Sequence, residues 1–493
     1  MTGLSVNRVA APLAVLVAVG AVYGLTTLRH TVTLGDGRPQ LPPAAVAATS
    51  AVSGCPSLGG QAAGDVALIA APATAGPGQA QLVQLAGGRQ LPSVSQPGQL
   101  ALAPVRASSA ARHKPAVSGP QIQTVTVPGG VVVQASGSMA RGLEVEQVSA
   151  TGVPAGRCAS PGTDFWFVGP GQHTAARIDL HLLNAGRQSA DVNVEASTDA
   201  GPLQGSTDTG ITVPPRSMVV QSLASVLHGS RAVALHVRTS VGQVVAAVDE
   251  VTSTGGNGGW LPIAQSPAGR VVLPGLPATA GTRQVFVAVP GTRDAHLELT
   301  AVTAKGSYQP TGGTGLDIPG GAAVSIDLPS LSGVPAALKL TSNVPITASA
   351  MVTGGSSGAP GAFTAAALPL QEQGVVAYNR AGGGTDSQLV LSAPGRAARA
   401  RLTEIGGTSK TQIVQVAAGH SLVAVLGKGG GSGRASAFAV VITPLAGSGP
   451  LYAGRVVFRS GTGGRIQDML PVASALTMVP LPQVRNVPIT TVP

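Results

Sequence analysis

Val125-Thr126-Val127-Pro128, Ile211-Thr212-Val213-Pro214, Leu316-Asp317-Ile318-Pro319 and Val414-Gln415-Val416-Ala417 read as four versions of one short phrase. The last three agree further along. From Val213, Ile318 and Val416, an apolar residue follows six positions later (Val219, Val324, Leu422) and a leucine ten later (Leu223, Leu328, Leu426). Each stretch is then closed by a Leu-Pro-aliphatic step: Leu261-Pro262-Ile263, Leu368-Pro369-Leu370 and Leu470-Pro471-Val472. The period, roughly a hundred residues, is too long for a solenoid repeat and matches one sandwich domain. The expectation is a string of related β units arranged as beads rather than as a continuous stack.

Composition supports this reading. The 493 residues are enough for several domains, each with its own core. Hydrophobic residues make up 44% of the chain but aromatics only 2%, so the cores must be built from Ala, Val and Leu. Such side chains suit strands better than stacking platforms. The 68 Gly and 39 Pro break helices and supply turns, which points to an all-β fold. The net charge is +10 on sparse charges, and the basic residues are scattered without interleaved aromatics, so nucleic acid is not the expected partner. A weak attraction to anionic envelope polymers or lipid headgroups is compatible with the excess of Arg.

Residues 9–28 carry no charge, lie between Arg8 and Arg29-His30, and are long enough for one helical span. No small-residue cleavage pattern abuts this core; Ala45-Val46-Ala47 is far downstream, so an uncleaved anchor is expected. Val52-Ser53-Gly54-Cys55 has the look of a lipoprotein box but stands too far beyond the apolar run. Cys55 and Cys158 are the only cysteines, and in an oxidising exterior they are expected to form a disulfide.

The chain then divides into a cytoplasmic tail (1–8), a transmembrane signal-anchor (9–28), an extended linker (29–54) and a divergent β unit with the disulfide (55–160). β-sandwich units follow at 161–268 and 269–372, and a last unit with the C-terminal tail at 373–493. Residues 90–120 read as a loop, with a small basic cluster at Arg106, Arg112, His113 and Lys114. Arg177, Asp179 and His181 alternate with Ile178, Leu180 and Leu182, and Asp191, Asn193 and Glu195 with Val192, Val194 and Ala196. Leu297, Leu299 and Ala301 repeat the pattern against His296, Glu298 and Thr300. A later strand recurs as Val233-Leu235-Val237, Leu338-Leu340 and Phe438-Val440. Half-buried alternation implies antiparallel sheets packed face to face, hence immunoglobulin-like or fibronectin-like sandwiches behind one N-terminal transmembrane helix.

Catalytic motifs are not compelling. Gly354-Gly355-Ser356-Ser357-Gly358 matches the form of a nucleophile elbow, but Gly358-Ala359-Pro360-Gly361 follows where a helix is required. The glycine-rich stretch 428–433 is not a phosphate loop. The histidines show no metal-ligand spacing, and His181, His236 and His296 are expected on wet strand faces. Asp249-Glu250 is the one adjacent acidic pair; its members should point to opposite faces near a strand end. No catalytic, cofactor or metal residues are assigned. Trp166 and Trp260, at the two ends of the second unit, form a candidate binding patch for sugar rings or a protein partner if those ends meet.

Taken together, the anchor, Cys55-Pro56, Arg157-Cys158, Phe165-Trp166-Phe167-Val168-Gly169 and Gly259-Trp260-Leu261-Pro262 resemble an uncharacterised family of secreted, membrane-anchored proteins from high-GC Gram-positive bacteria. The resemblance implies location and a β-rich fold but no activity. The expectation is a non-enzymatic, single-pass envelope protein acting as a scaffold or interaction component of surface assembly. Its partners would be envelope proteins or cell-wall glycans. A glycan-binding module, and a hydrolase or transferase with an unfamiliar site, are the alternatives.

Overall fold

Short apolar-polar runs punctuated by Gly and Pro produce strands and almost nothing else. The computed structural model describes residues 45–56, 64–69, 78–84, 105–106, 123–127, 130–148, 154–172, 175–203, 210–223, 226–252, 258–278, 281–353, 361–406, 410–427, 436–461, 464–475 and 477–480. Among them the only helical element is a 3-10 turn at Pro329–Leu331. The anchor candidate 9–28, the Gly-Ser stretch 354–358 and residues 428–433 lie outside the described residues. Among the described residues no helix is long and apolar enough to cross a membrane.

Four strand sets repeat one topology, and strands are lettered A to H in chain order within each unit. In the second unit these are A Asp164–Pro170, B Ala175–Asn184, C Ala190–Thr198, D Ile211–Val213, E Ser217–Ser222, F Ala232–Val241, G Val245–Thr252 and H Gly258–Leu261. The pairing is A-F-C-D in one sheet and E-B-G-H in the other, all antiparallel. The fourth unit is built the same way from Gly374–Ala381, Thr385–Ala393, Ala398–Ile405, Thr411–Val416, His420–Val425, Ser436–Pro444, Tyr452–Gly461 and Gly464–Pro471. So is the first, from Ser50–Cys55, Gly64–Ile69, Gly78–Gln84, Val105–Arg106, Gln123–Val127, Val131–Gly137, Glu144–Val148 and Pro154–Arg157.

The third unit has A Ala268–Leu276, B Arg283–Ala288, C Ala295–Thr303, D Leu316–Ile318, E Ala323–Asp327 and H Gly361–Ala365. Its F and G are one unbroken strand, Ala336–Thr353. Residues up to Ile346 pair with A and C, and those from Thr347 onward pair with B and H, so a single strand passes from one sheet to the other. In the immunoglobulin constant arrangement A, B, E and D share a sheet opposite C, F and G. Here the B–E and C–F pairs are kept, whereas A lies with C, D and F, and G lies with B and E.

The repeated phrase now has a physical meaning in three units. Val213, Ile318 and Val416 close strand D and fill the cores, as do Leu223, Leu328 and Leu426 just after strand E. Val219, Val324 and Leu422 on E pack against the same cores. The fourth copy is different: Val125-Thr126-Val127 belongs to strand E of the first unit, not to D, so it is a look-alike at another place in the fold. Strand A of the first unit begins at Ser50, inside the stretch read as linker, where Ala45–Ala47 is also a strand, and Arg106 of the basic cluster sits on a short strand.

The bead arrangement is corrected. Val46–Val479 is one compact body. Val52, Val132, Leu183 and Val245 join the first unit to the second. Phe286, Met351 and Phe363 of the third enter the core of the second, and Ser349 Oγ donates to Val168 O at 2.6 Å. Val352 and Ala362 pack on Val390, Val456 and Phe458 of the fourth. Val148 of the first then packs on Tyr378 of the fourth, which closes the cycle. Each neighbouring pair docks across a short linker, and the last unit also meets the first.

Candidate functional site: the central cavity

The segment after each strand H turns inward at the centre of the cycle. Residues 156–160, 260–265, 366–369 with Gln371, and 468–471 with Ala473 and Ser474, one segment from each unit, line a cavity of about 550 Å³ together with residues 51–54, Pro56, residues 143–145 and Gln147 of the first unit. The Leu-Pro-aliphatic steps are these corners. Proline suits them because it donates no ladder bond and ends the strand. Leu261 and Leu470 are buried, Leu370 and Val472 likewise, while Ile263 and Leu368 stay open on the cavity. The second and third corners meet where Gln265 N–H donates to Ala366 O at 2.7 Å, and the third is tied to the fourth unit by Leu370 N–H donating to Leu451 O, just ahead of strand G, at 2.8 Å.

The polar wall takes Glu144 and Gln147 from the run Glu144-Val145-Glu146-Gln147-Val148, with Glu146 behind them. Val145 fills the core of the first unit, so Glu144, Glu146 and Val148 share the opposite face, which is pressed against the fourth unit. Glu146 Oε1 accepts Ala377 N–H and Oε2 accepts Arg455 Nη1, both at 2.8 Å. Arg455 also donates to Tyr378 O at 2.9 Å and to Asp468 Oδ2 at 2.6 Å. Glu146 and Arg455 are both fully buried. Glu144 is paired with Arg157 on strand H, and Gln147 Nε2 donates to Pro56 O. Burial is the main influence on the acids: it raises Glu144 against the pull of Arg157, and Glu146 against that of Arg455. Burial pushes Asp468 up to about 7, with Arg455 opposing and Glu146 adding to the rise.

Cys55, at the end of strand A, and Cys158, just after strand H, form the disulfide, 103 residues apart in sequence. It lies in the core of the first unit with Val133 and Val145, and Arg157 precedes Cys158, so the bond fixes the strand that carries the partner of Glu144.

The two tryptophans are not one patch. Phe165 and Phe167 fill the core, which puts Trp166 on the outer face of the A-F-C-D sheet. There it stacks on His236, centroids 3.9 Å apart, and His236 meets Asp164 and Glu195 at 3.3 and 3.4 Å. Leu261 fills the core from the other sheet, so Trp260 faces outward on E-B-G-H, 5.0 Å from the ring of His181, and lines the cavity.

His181 is a correction. Expected on a wet face, it is 3% exposed, and neither ring nitrogen has a hydrogen-bond partner among the described residues. Burial, with Arg177 nearby, lowers it to about 4. The alternation was right about its face; that face is covered. His296 stays exposed, bonded to Asp317. Asp249 and Glu250 do point to opposite faces of strand G. Asp249 pairs with Arg177 at 2.9 Å, while Glu250 is fully buried without a partner among the described residues and is pushed by burial up to about 8. Among the described residues no group of three or more His, Cys, Asp or Glu is placed to hold a metal ion.

Residues 113–426 match a family of unknown function, DUF5719. The chain belongs to this family. No curated protein and no solved structure matches it. The family match starts ahead of strand E of the first unit and ends at Leu426, just after strand E of the fourth. It contains Glu144, Glu146, Arg157 and Trp260 but not Cys55, Arg455 or Asp468, so the contact that closes the cycle straddles its C-terminal limit.

Proposed function

We propose that the protein is a non-enzymatic extracytoplasmic envelope protein, held as a single-pass anchor by residues 9–28, that serves as a scaffold or interaction component of cell-surface assembly. The observation that carries this reading is the closure of the first unit on the fourth through Glu146, Arg455 and Asp468. A tandem array joined only by linkers would let its units swing. A closed body presents its outer faces in fixed relation, which is what a platform for other proteins requires. The Cys55–Cys158 disulfide favours an oxidising compartment. We also class each unit with the immunoglobulin-like sandwiches on its shared B–E and C–F pairs.

One observation favours a second reading, binding of cell-wall glycans. Trp166 stacked on His236 with Asp164 and Glu195 beside it is an aromatic platform with polar groups at its rim. The full chain, extracted from membranes with its disulfide intact, is tested by pull-down against envelope proteins and against purified cell-wall glycans at two salt concentrations. Retention of defined envelope proteins, unchanged by Trp166→Ala, is the expected result. Glycan retention that survives high salt and disappears in Trp166→Ala replaces the scaffold reading with recognition. Cys55 and Cys158 found as free thiols in the producing cell remove the extracytoplasmic assignment.

A further inference from the structure

We infer that the central cavity is a binding site for a small amphiphilic cation, an ammonium or guanidinium group carried on an aliphatic body. This goes beyond the scaffold reading and does not depend on it. At about 550 Å³ the cavity falls within the range of small-molecule sites, roughly 300–1,000 Å³.

Its apolar side is incomplete. In the fourth unit's corner step both aliphatic members, Leu470 and Val472, are buried. In the second and third units one member is left open in each: Ile263 is 37% exposed and Leu368 is 62% exposed, and both line the cavity. These side chains occupy equivalent corners of a repeated fold in which the counterparts are covered, so an aliphatic body of a few carbons would complete a packing pattern the molecule already has.

Its polar side carries more acidic than basic groups. Glu144 and Asp468 line the cavity against Arg157 as the basic lining residue; Asp164 lines it too, but its carboxylate is turned to His236. Behind them the buried cluster sets three carboxyl groups, Glu144, Glu146 and Asp468, against two guanidinium groups, Arg157 and Arg455. Arg157 is taken up by Glu144, and Arg455 is divided between Glu146 and Asp468. An acidic cavity in a chain of net charge +10 does not follow from composition. Burial keeps the Asp468 carboxyl protonated up to about 7, and a cation placed beside it favours the ionised carboxylate and balances the cluster in that state, while the indole of Trp260 on the same cavity offers the cation a π face. A neutral apolar ligand would leave the carboxylates dehydrated, and an anion would be repelled.

The test uses the full chain in membrane vesicles and two photoreactive probes of equal length, an octylamine and an octanoate each bearing a diazirine on the alkyl chain, with labelled residues mapped by mass spectrometry. Saturable labelling of residues 260–265 and 366–371 by the amine, suppressed by excess unlabelled octylamine, is expected, with the carboxylate giving roughly tenfold less or lower. Leu368→Lys and, independently, Ile263→Lys place a like charge at the open apolar positions and should each reduce amine labelling roughly tenfold, while Leu368→Met retains it. Equal labelling by the two probes, labelling confined to other regions, or labelling indifferent to both lysine variants overturns the assignment. None of these outcomes bears on the pull-down of envelope proteins.

Discussion

The fourth unit meets two neighbours by opposite means. Against the third unit, its neighbour in sequence, contact is apolar and close: Val456 and Phe458 pack on Val352 and Ala362, and the backbones of Gly275 and Gly454 touch. Against the first unit, far away in sequence, contact is built from a buried arginine between two carboxyl groups. Units joined by a short linker are held at high effective concentration, so general hydrophobic burial is enough to dock them. The closing seam has no such tether. An apolar seam would tolerate many registers and many partners. A buried ion pair tolerates few, because any misplacement leaves a charge dry.

The largest expected effect is on the closing seam. Arg455→Met strands Glu146 and Asp468 without a counter-charge and should destabilise the body by about 3–5 kcal/mol. Hydrogen exchange should rise along Glu144–Val148 while Ala268–Leu276 of the apolar seam stays protected; equal exchange in both would mean that the seams are not distinct. Next is Cys158→Ser, which removes the covalent tie within the core of the first unit and the anchor of the strand bearing Arg157. A loss of about 2–4 kcal/mol in denaturant unfolding is expected, concentrated in the first unit.

The apolar seam is tested by Gly454→Ala. A Cβ there would lie 2.4 Å from the Cα of Gly275, backbone that cannot rotate away, so the seam must part. A loss of about 1–3 kcal/mol is expected, with exchange rising in Ala268–Leu276 and unchanged in Glu144–Val148. The smallest effect is that of pH. Asp468 is raised from 3.8 to about 7 by burial, so between those values it holds a proton in the fold and loses it on unfolding. Raising pH through that window therefore favours unfolding, and Glu144 and Glu146, also raised, act in the same direction. Asp468→Asn should flatten the difference in thermal stability between pH 5 and pH 8 by about 1–2 kcal/mol, whereas Gly454→Ala should leave that difference as it is.

Much of the fold was legible because it is local. Alternation along Ile178-Leu180-Leu182 and Leu297-Leu299-Ala301 names core faces correctly, and the repeated phrase locates the D and E strands of three units. The look-alike at Val125–Val127 shows the limit of a three-residue signal: strand E of the first unit ends on an aliphatic as strand D does in the other units, and only pairing partners tell them apart. Alternation also cannot say what covers the polar face. Glu144 and Glu146, like His181, sit where solvent is the ordinary neighbour, yet another unit lies there instead. The run Leu143-Glu144-Val145-Glu146 looks like a wet strand, and nothing near Arg455 in sequence announces its partner. The cavity was half visible, since the Leu-Pro-aliphatic steps were found as unit ends, but their convergence depends on how four units turn, which is not written in any one of them.

The tie between Glu146 and Arg455 also sets an order of events, because 309 residues separate its partners. During synthesis the first unit is complete long before strand G of the fourth exists, so the face carrying Glu144, Glu146 and Val148 begins its life in water with its carboxylates hydrated. Long-range contacts of this separation form late, after the loop between them has been shortened by the folding of what lies between. The four-membered body is therefore finished by its final strands, and a chain truncated ahead of Tyr452–Gly461 would leave the oldest part of the molecule permanently open.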